Sequence, residues 1–367
     1  MHIPDGYLSP QTYIPAYAAA IPFWAYASNK LNKTLRARQV PLLALGAAFS
    51  FVIMMFNVPI PGGTTGHAVG SVLIAILLGP WAAVVAVSLA LVVQALIFGD
   101  GGITAIGANC LNMAVIMPFF GWWVYRAIAG NASATSARRW IGAAVGAYIG
   151  LNIAAVTAAV MFGIQPYIAT DSAGRALYQP FGLGITLPAM GISHLLVFGF
   201  VEAIVTGLVV AYFQKVEPSL LARHIQTGNG RRMTPVYAKL GIAIGVLAIL
   251  TPIGIYLPQA FNAGDAWGEW APEDIRKVMI EETGQAEGYI PSGLERESGI
   301  WKAPLPDYAF PDQEEESLGL MSLAYILSAV VGIVLIIVGT MSLRKFLSSG
   351  KNSHDHTSGM DASSGGA

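Results

Sequence analysis

Long, uninterrupted apolar runs constrain this chain more than any other feature. They fall at about 11–27, 41–56, 67–79, 80–98, 103–125, 140–163, 184–213, 236–257 and 319–342. A helix of ~20 apolar residues spans the hydrocarbon core of a bilayer. Inside hydrocarbon only helices and closed barrels satisfy their backbone polar groups. The runs are continuous rather than alternating, so they predict helices and not a barrel. Charged residues make up 11% of the 367-residue chain and hydrophobic residues 54%, against ~25% charged in a soluble domain. The expected fold is an all-α polytopic membrane protein with nine candidate helices, seven before a polar stretch and two after it.

The basic residues give these helices a direction. Lys30, Lys33, Arg36 and Arg38 follow the first run, and Arg126, Arg138 and Arg139 follow the fifth. Lys215, Arg223, Arg231, Arg232 and Lys239 surround the connection between the seventh and eighth runs, and Arg344, Lys345 and Lys351 follow the last. If every run crosses, these 15 of the 20 basic residues lie on one side. Cytoplasmic loops collect Lys and Arg, so the N-terminus is expected outside and the C-terminus in the cytoplasm. The start, Met1-His2-Ile3-Pro4-Asp5-Gly6-Tyr7, has no basic region and does not read as a cleavable signal peptide. Pro22, Pro80 and Pro118 are positions where helices are expected to kink or end. A single cysteine, Cys110, allows no intrachain disulfide.

Composition divides the chain into residues 1–215, a polar cytoplasmic linker 216–235, a second unit 236–345 with two transmembrane helices, and a tail 346–367. The second unit holds an outside loop, 258–318, with 14 acidic and 4 basic residues. A local negative field of that kind gathers cations, although translocated loops also lack Lys and Arg for reasons of topology alone. The Gly/Ser-rich tail, with His354 and His356, is expected to be disordered.

An outward-facing Met1-His2 terminus is itself a chelator. The α-amine titrates near pH ~8, so a metal displaces its proton at little cost. From that amine the His2 amide nitrogen closes a five-membered ring, and the His2 imidazole Nδ1 closes a six-membered one. Ni²⁺ and Cu²⁺ favour such planar nitrogen sets. A fourth donor has to come from elsewhere, and His67 is the natural candidate. It ends the segment Pro59-Ile-Pro-Gly-Gly-Thr-Thr-Gly-His67, whose glycines and prolines imply an irregular backbone at the outside ends of two helices. Irregular backbone at membrane depth is tolerated where it lines a cavity or is buried by protein.

Met1-His-Ile-Pro-Asp-Gly-Tyr-Leu-Ser-Pro10 resembles the N-terminal signature of the CbiM/NikM family, the metal-binding S components of energy-coupling-factor transporters. Further blocks resemble it too: Val58-Pro-Ile-Pro-Gly-Gly-Thr-Thr-Gly-His67, Leu78-Gly-Pro-Trp81, and Asp100-Gly-Gly-Ile-Thr-Ala-Ile-Gly-Ala-Asn109-Cys-Leu-Asn112. The resemblance covers about residues 1–215 and implies a seven-helix core with the N-terminal segment tucked into it. It implies metal ligation by the Met1 amine, the His2 amide and imidazole, and His67. The region 236–345, with Pro304-Leu-Pro-Asp-Tyr308, resembles the small N component fused behind the S component in some nickel systems. The expected cargo is therefore Ni²⁺, with Co²⁺ the runner-up, and no resident cofactor or nucleic-acid partner is expected.

Other polar residues carry two or more readings each. Asp5 either orients a ligand imidazole or simply forms a turn with Pro4 and Gly6. Asn109 and Asn112, at i,i+3, either brace the inserted segment or bond between helices. His194, Glu202 and Thr206 share a face of one helix if its pitch is regular. His194 and Glu202 then mark a metal route, a structural pair or a subunit contact. No Gly-x-x-x-x-Gly-Lys-Ser/Thr loop is present, so ATP hydrolysis by that device is not expected of this chain. The resemblance supplies the energy source: a transmembrane coupling protein and cytoplasmic ATP-binding-cassette ATPases. A membrane metal sensor or an intramembrane metalloenzyme is the alternative from another class. The former wants a cytoplasmic signalling domain and the latter a general base beside the metal.

Overall fold

The computed structural model describes the chain except for residues 35–38, 222–233, 285, 311–316 and 358–367. An extended N-terminal segment leads into α1 (Pro10–Thr34) and α2 (Val40–Met54). A two-residue antiparallel pair follows, β1 (Val58–Pro59) with β2 (Thr65–Gly66), Val58 lying opposite Gly66. Next come α3 (Ser71–Leu78) and α4 (Pro80–Val93), which ends in a π turn, Gln94–Phe98. Helix α5, over 106–129, has a π segment, Cys110–Ile116, between Ile106–Asn109 and Met117–Ala129. Then come α6 (Ala137–Gly163) and α7 (Leu183–Val216), the latter interrupted by a π turn at His194–Phe198. The rest comprises α8 (Thr234–Leu250), α9 (Ile253–Ala260), α10 (Pro272–Thr283), α11 (Ser292–Ser298) and α12 (Leu318–Thr357).

The fold is helical, as the apolar runs require. Among the described residues five helices are long and apolar enough to cross a membrane: Pro80–Phe98, Ala137–Ile168, Leu183–Val216, Val236–Ala260 and Leu318–Leu343. All nine expected runs carry helix, but some are broken where apolarity alone gives no sign of it. The run at 67–79 begins as loop, and its helix α3 has only eight residues. Gly79, at φ +93°, ends α3, and Pro80 opens α4 where no N–H is needed. The run at 103–125 is likewise broken by its π segment. Pro22 lies inside α1 without ending it.

Close helix approach holds the bundle together. Gly142, Gly146 and Gly150 recur every fourth residue on the side of α6 that faces α5, and a Cβ at Gly150 would stand 2.7 Å from the Met117 carbonyl oxygen. Small residues let membrane helices pack at backbone contact, where dispersion and weak polar contacts act without a hydrophobic drive. Helix α7 packs on the other side of α6, while α8 and α12 pack against α2.

Helical structure extends beyond the apolar runs in two places. Helix α12 continues through Ser348 to Thr357. The loop 258–318 is folded, with α10, α11 and a 3₁₀ turn, Pro306–Tyr308, and it lies across the N-terminal segment. Most of the linker 216–235 falls outside the described residues.

Candidate metal centre

The first nine residues are a buried insert. Ile3, Tyr7, Leu8 and Ser9 are essentially fully enclosed, and His2 is 2% exposed. Extended backbone in such a place needs partners. Asn109 supplies two: its Oδ1 accepts from Ile3 N at 2.9 Å and its Nδ2 donates to Ile3 O at 3.1 Å. Gly102 N donates to Ile3 O at 2.9 Å, Gln179 N to Tyr7 O at 3.2 Å, and Ser9 N donates to Gln165 Oε1 at 2.9 Å. Gly102 has to be glycine, since a Cβ there would overlap Pro4 and Asp5.

The insert brings three expected ligand residues together. The His2 and His67 rings lie face to face, with centroids 5.0 Å apart and planes 27° apart. Both Nε2 atoms are buried and have no hydrogen-bond partner. His67 Nδ1 donates to Ala68 O at 3.2 Å when it carries the proton, which leaves Nε2 as a bare donor atom. Burial, together with the Met1 amine and His2, holds the His67 imidazole well below its usual pKa. The neutral ring is thereby favoured, which suits ligation.

Three groups that the sequence did not single out complete the wall. Asp100 Oδ1 is 2.7 Å from His2 Nδ1, the nitrogen expected to close the six-membered chelate. In this structure Nδ1 is therefore engaged by a carboxylate and Nε2 is the open nitrogen. Burial would raise the Asp100 carboxyl, but His2, His67 and the Tyr308 hydroxyl hold it well below the usual carboxylate range. Glu269 Oε1 lies 3.4 Å from the Met1 amine. Its carboxyl is raised by burial, against the lowering pull of that amine. Tyr308 donates its hydroxyl to Asp100 and accepts from Gln94 Nε2 at 3.0 Å.

Glu269 and Tyr308 belong to the loop 258–318, so groups from that loop reach the centre, which is not walled by residues 1–215 alone. Trp267 and Trp270 flank Glu269 and pack on Phe181, and Tyr7 Oη donates to Trp270 O at 2.8 Å. Leu305 N donates to Ile97 O at 2.9 Å and Trp301 Nε1 to Leu96 O at 3.0 Å. Tyr308 sits at φ +63°, a costly conformation for an aromatic residue. Its ring stacks on Phe98 at 4.8 Å. The acidity of the loop and the quoted block at Asp100 were the visible signals for these residues.

The remaining expected residues lie elsewhere. Among the described residues Asp5 touches no imidazole: its oxygens accept from Ile103 N at 3.0 Å and Thr104 N at 2.8 Å, fixing the turn that precedes α5. Asn112 does not brace the insert; its Nδ2 faces Met161 Sδ on α6 at 3.7 Å. A π turn at 194–198 lies between His194 and Glu202 in α7, and the two side chains bond to different partners. His194 Nδ1 faces Met190 O at 2.7 Å, within its own helix. Glu202 accepts from Val69 N at 2.7 Å and Gly70 N at 3.0 Å, and Thr206 Oγ1 lies 3.5 Å from it.

Comparison with known proteins agrees with this architecture. Residues 2–220 match the family model described as the cobalt uptake substrate-specific transmembrane region, and residues 238–349 match the PDGLE domain. The chain is 47% identical to the fused nickel transport protein NikMN of Rhodobacter capsulatus, over 92% of this chain and 96% of that one. It is 41% identical to the probable fused nickel transport protein LarMN of Lactiplantibacillus plantarum, with the same coverage. Its identity to the cobalt transport protein CbiM of Geobacter sulfurreducens is 32%, covering 69% of this chain and 72% of that one. A crystal structure of a transition metal transporter is 51% identical and superposes with a TM-score of 0.55, covering 59% of this chain and 93% of that one. A buried N-terminal insert meeting a histidine loop in a multi-pass helical bundle accompanies these matches, and the chain belongs to the CbiM family of cobalt uptake substrate-specific transmembrane regions, here joined to a PDGLE domain.

Proposed function

We propose that this protein captures Ni²⁺ from the extracytoplasmic side and delivers it inward, as the substrate-specific membrane component of an ATP-driven energy-coupling-factor importer. The observation that carries the reading is the buried convergence of the Met1 amine, His2 and the bare His67 Nε2. Among the described residues no three His, Cys, Asp or Glu side chains form a cluster able to hold an ion. The Met1 amine and the His2 amide offer main-chain nitrogen beside the two imidazoles. His2 Nδ1 and His67 Nε2 complete four nitrogens, the set that suits Ni²⁺.

Capture by this set has a cost that the geometry identifies. The amine faces Glu269 and His2 Nδ1 faces Asp100, so an entering ion replaces two carboxylate contacts with two metal bonds. Both carboxylates then stand beside a dication and keep the buried charge compensated. Full-length similarity to relatives named for nickel favours nickel over cobalt, and the acidic loop serves as the outer approach. ATP hydrolysis falls to separate ATPase subunits working through a transmembrane coupling protein. The N-terminus faces out, on the side opposite most Lys and Arg.

The test is metal analysis of purified protein with its native N-terminus after competition between Ni²⁺ and Co²⁺, alongside protein carrying one added residue before Met1. Nickel retained by the native protein and lost by the extended one is the expected result. Full nickel binding by the extended protein would remove the amine from the site.

A further inference from the structure

Glu202 is the most unusual polar residue of the membrane-spanning helices. It is fully enclosed, and no cation pairs with it among the described residues. A carboxylate in such a place costs several kcal/mol unless it is well bonded. Its hydrogen bonds run to the loop that carries His67: Val69 N at 2.7 Å and Gly70 N at 3.0 Å. Ser50 Oγ holds the Val69 carbonyl from the other side, at 2.7 Å. One helical turn earlier, Phe198 lies against Gly66 so closely that a Cβ there would be 2.7 Å from its ring. Helix α7 thus grips the chain on both sides of His67–Ala68, by ring contact before it and by carboxylate after it.

The chemistry selects a carboxylate at this position. Two adjacent N–H groups need two acceptor lone pairs and no competing donor. Of the side chains of this length only ionised Glu offers that, since Gln brings its own NH₂. Such charge-assisted bonds are also about twice as strong as neutral ones. With both oxygens committed to the loop, Glu202 is not aimed at a cavity as an ion relay would be.

We infer that Glu202 is a positioning residue for His67: it fixes the Gly66–Gly70 turn so that His67 Nε2 faces the Met1–His2 terminus. This rests on the reading of His67 as a nickel donor. Simple capping of α3 would stabilise the same N–H groups without reference to the ligand, and a double-mutant cycle separates the two.

Nickel(II) binding is titrated on full-length, detergent-solubilised protein for wild type, E202Q, H67A and the double variant. E202Q is expected to lose ~10–100-fold in affinity, the range for residues that orient a metal-binding side chain. In the H67A background the same change should fall within about twofold of H67A alone. The absorption band of the residual E202Q nickel complex should move toward that of H67A. Wild-type affinity in E202Q overturns the inference, as does an equal loss in both backgrounds. Wild-type affinity in H67A would instead strike the donor assignment, and this inference with it. Should E202Q fail to fold, E202D enters the same cycle with the same expectations, because it keeps the charge but is too short to reach both N–H groups.

Discussion

Replacing Asn109 by alanine tests whether the N-terminal insert is held by the partners that the structure gives it. The change removes two hydrogen bonds to Ile3, at 2.9 and 3.1 Å. The Ile3 carbonyl keeps the Gly102 N–H at 2.9 Å, whereas among the described residues the Ile3 N–H has no second acceptor. A buried donor left unsatisfied costs ~1–3 kcal/mol. At ~2 kcal/mol the docked insert falls about 30-fold relative to the undocked one. Hydrogen exchange at the Ile3 amide reports that loss directly, and thermal melting of the metal-free protein should fall with it. Nickel affinity should drop by up to about 30-fold, the limit reached when docking of the insert controls binding. Asn112→Ala is the control, because Asn112 faces Met161 and not the insert. Unchanged exchange, melting and affinity in Asn109→Ala, or a larger loss in Asn112→Ala, would refute the reasoning.

Nickel in the wild-type protein should be diamagnetic and square-planar, and His67→Ala should weaken binding by more than ~10-fold; a paramagnetic octahedral spectrum would contradict the four-nitrogen set. A Gly99→Cys, Ala303→Cys pair should crosslink under mild oxidation. A Cβ at Gly99 stands 3.3 Å from that of Ala303, near the ~3.8 Å of a disulfide, although φ +68° at residue 99 adds ~1 kcal/mol of strain. No crosslink would mean that the 258–318 loop does not sit on the π turn of α4. Ending the chain ahead of Thr234 removes Glu269 and Tyr308 but none of Met1, His2 or His67. Nickel stoichiometry should persist in detergent while uptake in cells falls, and supplying 236–367 as a separate chain should restore it; undiminished uptake by the shortened protein would refute a role for the second unit in delivery.

The sequence alone determined that the chain is helical and membrane-spanning, because period and length of apolar runs are local properties. It also pointed to Met1, His2 and His67 as candidate donors, which the fold brings together, since chelate rings close between neighbouring residues and an irregular glycine-rich segment marks a place for close approach. Other features depend on groups far apart in the chain. Asp5 and Asp100 lie in similar Asp-Gly contexts, yet only the packed structure puts Asp100 on His2 and Asp5 on the 103–104 turn. His194 opens a π turn, which regular helical geometry does not anticipate. The acidic loop read as a diffuse charge, while the tertiary structure turned two of its residues, Glu269 and Tyr308, into contacts with Met1 and Asp100. Their pairings span 268 and 208 residues, and no local pattern encodes such a distance. The packing that seats the loop on Phe98, Phe181 and Leu177 decides them.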